Sequence, residues 1–252
     1  MEAILTICHR HHILLLADEV YQENIYQPNT LPFLSFRAVC LSMHHAPHVR
    51  DGTSIISVHS VSKGLLAECG RRGGYMALTN CFLTIRKELM KLNSINICPN
   101  ISGQLLTALM LDPPVPGDES YATFQHEMHS NFSALQKKAV VIAEALNAIP
   151  GITCSVPPGA MYVFPKVQLP TRYIDEHTRS LNEQEGVSYT PDTRWCLELL
   201  DSFGVVVIPG DGFLHEAGTF HFRTTILPCD AQLERMINSI REFQGSVITR
   251  FS

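Results

Sequence analysis

The spacing of apolar residues changes along the chain, and each change predicts an element. Ile4, Leu5, Ile7 and Cys8 make one face of a short opening helix. Ile13 to Ala17 is then continuously apolar and stops at Asp18-Glu19, the pattern of a buried parallel strand ending at the carboxyl edge of its sheet. Residues 54–58 and 74–78 read as two more strands. Phe82, Ile85, Leu89 and Leu92 keep helical spacing and predict a helix over 81–92. The run Asp112-Pro113-Pro114-Val115-Pro116-Gly117 excludes helix and central strand and reads as a surface loop. A long helical pattern follows, with Phe124, Met128, Phe132, Leu135, Ile142 and Leu146 on one side, and Pro150-Gly151 stops it.

After Gly151 the texture shortens. Strands are expected at 152–156, 160–164, 205–208 and 220–226, with helices at 192–203 and 230–243. The polar stretch 178–190 reads as an exposed loop. The pattern predicts an α/β domain over residues 1–150, with a mostly parallel sheet, followed by a small α+β domain over 151–252. The first of these opens inside a helix. A parallel sheet needs a strand before its first crossover helix, so about three strands here would leave sheet edges uncovered.

Composition narrows the function. The chain has 252 residues, 45% of them hydrophobic, which supports a sizeable core and excludes wholesale disorder. The net charge of −5 carries no clustered Lys and Arg, so no nucleic-acid footprint is expected. No apolar window reaches the length of a membrane span, and residues 1–12 do not form a cleavable signal. The eight cysteines form no C-x-x-C pair and read as free thiols in a reducing compartment. His9, His11 and His12 precede a strand and read as a polar helix end; no metal site is expected.

Four short constellations carry possible chemistry. Ala17-Asp18-Glu19-Val20-Tyr21 puts an acid at the carboxyl end of a strand, where open α/β sheets bind ligands, although a turn acid or helix cap has the same look. In Ser60-Val61-Ser62-Lys63-Gly64, a lysine beyond a buried strand and between small residues is either a desolvated Schiff-base nucleophile or a solvated loop lysine. Gly70-Arg71-Arg72-Gly73-Gly74-Tyr75 lets the backbone and a forked guanidinium approach an anion, or is a plain surface turn. Arg223, in His221-Phe222-Arg223-Thr224-Thr225-Ile226, sits in an apolar strand pattern where a lone charge is costly. Its partner is either a structural carboxylate or a substrate carboxylate held by both prongs.

The order of these runs resembles the pyridoxal-phosphate aminotransferases of the aspartate aminotransferase fold type. The segments 59–64, 68–75, Cys98-Pro99-Asn100, Pro158-Gly159-Ala160-Met161-Tyr162 and 221–228 are most similar to the alanine aminotransferase branch. The resemblance implies a partial pyridoxal-phosphate-binding large domain with its amino-terminal part missing. It implies that Lys63 carries the cofactor and shuttles a proton, Asp18 pairs with the pyridine nitrogen, and Tyr21 meets the phenolic oxygen. Ser60 and Arg72 hold the phosphate, and Arg223 clamps the substrate α-carboxylate. Arg72 occupies the arginine slot of the Gly-x-Arg-x-Gly-Tyr pattern, whereas counting from Lys63 selects Arg71. The implied reaction converts L-alanine and 2-oxoglutarate to pyruvate and L-glutamate in a cytoplasmic or mitochondrial homodimer. A carbon–sulfur lyase on the same scaffold keeps the same lysine, acid and arginine. A chain lacking half the fold is alternatively a non-catalytic partner of longer subunits.

Overall fold

The computed structural model describes residues 1–64, 67–95, 97–98, 100–179 and 189–252. Contacts divide the chain into two compact units, Met1–Ser130 and Asn131–Ser252. The division falls within the long helix, earlier than the change of texture at Gly151.

The first unit is built on a three-stranded sheet in the order β1-β2-β3. Strand β1 (Leu15–Asp18) runs parallel to β2 (Ile55–Ser60), and β3 (Gly74–Thr79) runs antiparallel to β2. The sheet is thus mixed rather than mostly parallel within the described strands. The helices are α1 (Glu2–Arg10), α2 (Phe36–Ser42), α3 (Pro47–Gly52), α4 (Leu83–Ile95) and α5 (Ile101–Leu111), and α6 (Tyr121–Asn147) begins in this unit. The core lies on one sheet face, where Leu5, Ala17, Cys40, Met43, Val49 and Ile55 cluster beneath α1, α2 and α3. Leu5, Met43, Val49 and Ile55 each contribute about 1.5–3 kcal/mol by leaving water.

Strand β1 corrects the expectation of a fully buried strand. Ala17 is buried, but Leu16 points to the opposite face and is 66% exposed. Among the described residues β1 is the edge of its sheet and only one of its faces is covered, so a continuous apolar run here does not mean burial on both sides.

The second unit holds the end of α6 and a five-stranded sheet of short strands: β4 (Ile152–Thr153), β5 (Tyr162–Val163), β6 (Lys166–Val167), β7 (Ile208–Pro209) and β8 (Phe220–Thr225). β8 organises it, pairing antiparallel with β5, β6 and β7. Helices α7 (Thr171–Arg179), α8 (Pro191–Phe203) and α9 (Asp230–Phe251) complete the unit. Trp195 of α8 is fully buried, stacks on Phe222 of β8 at 5.1 Å and meets Phe243 of α9 at 5.3 Å. Its indole donates to Gln244 at 3.0 Å, and Gln244 in turn donates to the carbonyl of Gln168 at 3.1 Å. The buried amide is thereby satisfied on both sides, as burial of polar groups demands.

The helix expected over 230–243 continues to Phe251, because Val247 and Phe251 extend the same apolar face. Strand β6 and helices α2, α3, α5 and α7 have no counterpart in the sequence pattern. Most of the stretch 178–190 lies outside the described residues. Among the described residues no helix is long and apolar enough to cross a membrane.

Candidate active site

In the first unit, β1 and β2 are parallel neighbours with Asp18 opposite Val58, so Asp18 and Ser60 stand together at the carboxyl ends of adjacent strands. That edge is the ligand-binding edge of open α/β sheets. Asp18 is exposed, and its Oδ1 accepts from the Val20 amide at 3.3 Å. Tyr21 follows in the same turn and is half-buried.

Beyond β2 the chain turns through Ser60-Val61-Ser62-Lys63-Gly64. Ser60 Oγ accepts from the Ser62 amide at 3.3 Å, which holds the turn, and Lys63 is half-buried. Gly64 has φ +72°, a left-handed conformation that suits glycine. A Cβ on Gly64 would lie 3.4 Å from the Val20 carbonyl and 3.9 Å from a Glu23 carboxylate oxygen. The Lys63-Gly64 turn therefore lies against the loop that carries Asp18 and Tyr21.

The arginine loop separates its two cations. Arg71 pairs with Glu68 at 3.8 Å. Arg72 instead donates from Nη1 to Ser62 Oγ at 3.4 Å, beside Lys63, and to the Cys69 carbonyl at 3.1 Å. The Val61 amide donates to the Gly73 carbonyl at 3.1 Å, tying the two loops together. Arg72 holds φ 55° and ψ 56°, a left-handed conformation that costs a non-glycine residue about 1–3 kcal/mol and persists where the surroundings enforce it. Of the two arginines, the geometry turns Arg72 toward the lysine loop.

In the second unit, Arg223 lies half-buried on β8, opposite Ile208. Its guanidinium carbon stands 4.8 Å from the Tyr162 ring centre and 4.9 Å from that of Phe213. Its Nε is buried without a hydrogen-bond partner. Among the described residues no carboxylate pairs with it. Two rings that flank a guanidinium and leave its Nε unsatisfied give it the chemistry to accept a planar anion. Phe213 is carried on a short turn anchored by Asp211, whose Oδ2 accepts from the hydroxyls of Thr190 at 3.1 Å and Thr193 at 3.0 Å.

The structure thus brings Asp18, Tyr21, Ser60, Lys63 and Arg72 onto neighbouring turns of one unit, and sets Arg223 among aromatics in the other. Sequence reasoning passed over Ser62, Asn100, Tyr162 and Phe213 as individuals. Ser62, Asn100 and Tyr162 lie inside runs that carried the resemblance, whereas Phe213 left no signal.

Residues 1–240 match the family Aminotransferase class I and II. A probable mitochondrial alanine aminotransferase of Dictyostelium discoideum is 40% identical over 251 residues, covering 100% of this chain and 45% of the relative. Mitochondrial alanine aminotransferase 2 of Arabidopsis thaliana is 41% identical over 248 residues, covering 98% of this chain and 44% of its own. Among solved structures, an alanine aminotransferase from Pyrococcus furiosus superposes with TM-score 0.72 at 24% identity, over 97% of this chain and 52% of that one. The chain spans about half the length of the relatives it matches.

Proposed function

The chain belongs to the class I and II aminotransferase family, and on that premise we propose that it binds pyridoxal 5′-phosphate and serves transfer of an amino group from L-alanine to 2-oxoglutarate, giving pyruvate and L-glutamate. The observation that carries this reading is the shared edge: an acid and a lysine turn at the carboxyl ends of two parallel strands, with Arg72 hydrogen-bonded into the lysine turn.

The residues present fit the cofactor. A phosphate needs a forked cation and hydroxyls, and Arg72, Ser60 and Ser62 supply them on adjoining turns. A substrate carboxylate needs an unsatisfied guanidinium, and Arg223 offers a buried, unpartnered Nε. When bound, pyridoxal phosphate supplies an electron sink for the pair released as the amino acid loses its α-proton. Lys63 Nζ would hold the cofactor covalently until the substrate amino group displaces it, and the freed amine would then carry the proton from the substrate α-carbon to the cofactor's aldehyde carbon. The Asp18 carboxylate would keep the ring nitrogen protonated, and the Tyr21 hydroxyl would donate a hydrogen bond to the ring oxygen. The rings of Tyr162 and Phe213 flank the guanidinium that would receive the α-carboxylate.

The resemblance further implies a homodimer and a cytoplasmic or mitochondrial location; the two relatives above are both named mitochondrial. Sedimentation of the purified chain tests the assembly. The chemistry is tested by adding pyridoxal phosphate and recording the absorption spectrum beside that of Lys63→Ala. A visible band that the variant lacks, and that L-alanine shifts, is the expected result. A band indifferent to the substitution removes Lys63 from its role. Absence of any band in both chains leaves this protein as a non-catalytic partner.

A further inference from the structure

Helix α5 begins on the back of the arginine loop. Asn100 is its N-cap: Oδ1 accepts from the Gly103 amide at 3.4 Å and from the Ser102 hydroxyl at 2.8 Å. The other half of the same side chain does something a cap does not require. Its Nδ2 donates to the Arg71 carbonyl at 2.6 Å, across 29 residues of sequence. One amide therefore joins the start of α5 to the peptide that leads into Arg72.

The next turn of the helix closes on the same peptide. Gly103 is buried, and a Cβ there would lie 2.5 Å from the Arg71 carbonyl oxygen and 2.6 Å from that of Arg72. Gly73 faces it in return: a Cβ on Gly73 would collide with the Gly103 carbonyl and approach the Thr107 hydroxyl to 2.6 Å. That hydroxyl is itself spoken for, donating to the Gly103 carbonyl at 2.7 Å. Both glycines are required by contact, not by conformation. On its other side the loop is held by the Val61 amide on the Gly73 carbonyl. Residues 71–73 are thus fixed between the lysine turn and α5, which is what a left-handed Arg72 needs to persist. A cavity of about 380 Å³, lined by Arg72, Gly73, Asn100, Gln104 and Thr107, gives the loop somewhere to relax when the hold is released.

We infer that Asn100 and Gly103 are positioning residues for Arg72, and that α5 sets the direction of the guanidinium that receives the cofactor's phosphate. The inference rests on the proposed function. Its test compares pyridoxal phosphate with pyridoxal, which lacks the phosphate, by spectral titration of the chain. Asn100→Ser keeps a neutral cap acceptor for the Gly103 amide and removes the donor to Arg71. It weakens pyridoxal phosphate binding about tenfold, as loss of one well-aligned charge-assisted contact does. It leaves pyridoxal within about twofold. Gly103→Ala acts in the same direction and more strongly, and Asn100→Ser still decides the matter if that variant does not fold. Combined with Arg72→Ala, Asn100→Ser has no further effect, because the interaction it supports is gone. Equal weakening of both ligands, or an additive effect in the Arg72→Ala background, makes Asn100 a plain helix cap and overturns the inference alone. A wild-type chain with no lysine-dependent binding overturns the function and the inference together.

Discussion

The two units have different relations to water. In the second, helices give their apolar faces to the sheet: α8 buries Trp195, Cys196 and Leu199, and α9 buries Leu233, Ile237, Ile240, Phe243, Val247 and Phe251. In the first, α1, α2 and α3 do the same, but α4 buries nothing and α5 buries only Gly103 and Thr107. Met90, Ile95, Ile101 and Leu105 are 68%, 71%, 72% and 62% exposed. The contrast is not one of hydrophobicity, since both stretches are rich in apolar residues. It is one of available partners: among the described residues these apolar side chains of α4 and α5 are left uncovered. The candidate site follows the same division. Arg223 stands on a strand backed by the Trp195–Phe222 stack, whereas Arg72 is held by backbone hydrogen bonds and two glycine contacts.

The largest effect that sharpens this contrast is expected at Trp195. Trp195→Ala empties a fully buried site and leaves the Gln244 carbonyl unpaired, so unfolding in urea should show a loss of about 3–5 kcal/mol. Met90→Ala on the exposed face of α4 should stay within about 0.5 kcal/mol. Similar losses at the two positions would mean that α4 is covered in solution, and the comparison would fail.

A smaller effect is expected at Arg223, and on binding instead of folding. Arg223→Lys keeps the charge but loses the fork and the stacking on Tyr162 and Phe213. Titration of the cofactor-loaded chain with L-alanine should show affinity lower by about 1.5–3 kcal/mol, the range for hydrogen bonds to charged groups. Unchanged affinity would assign the carboxylate to another residue and leave the orphaned Nε without a role.

How much of this could be read beforehand depends on sequence distance. Strands β2 and β3, the long helix α6 and the amphipathic α9 were legible, because their period lies within one short window. Helix α5 was not. Ile101, Leu105 and Leu109 are apolar on a face that nothing in the described chain covers, so no polar side marks the period. Strand β6 spans two residues and exists only because β4 and β8 pair with it. Of the site, Asp18, Lys63 and Arg72 were legible as residue types in order along the chain. Their support was not: the contact of Gly73 with Gly103 and the reach of Asn100 to Arg71 are set by tertiary folding and leave no local trace. Arg72, the arginine in the Gly-x-Arg-x-Gly-Tyr slot, donates to Ser62 Oγ, whereas Arg71 pairs with Glu68.

The smallest effect concerns acid. His221 shares the face of β8 with Arg223, stacks on Phe164 at 4.8 Å and stands 4.9 Å from the His215 ring. Burial holds its pKa below the ordinary histidine value, with the neighbouring His215 and Lys166 acting in the same direction against the Pro165 carbonyl and Asp192. A histidine with a depressed folded-state pKa binds its proton more readily when unfolded. Its contribution to stability is therefore complete above the unfolded value of about 6.5 and is lost as pH falls through the folded value. The melting temperature of the wild-type chain should accordingly drop more between about pH 7.5 and about pH 5 than that of His221→Gln. A neutral glutamine keeps a polar partner for the Thr219 hydroxyl, 3.1 Å from the ring, and has no proton to gain. If the two chains lose stability alike, the acid response arises elsewhere, and the closed packing of the second unit is not what suppresses protonation at His221.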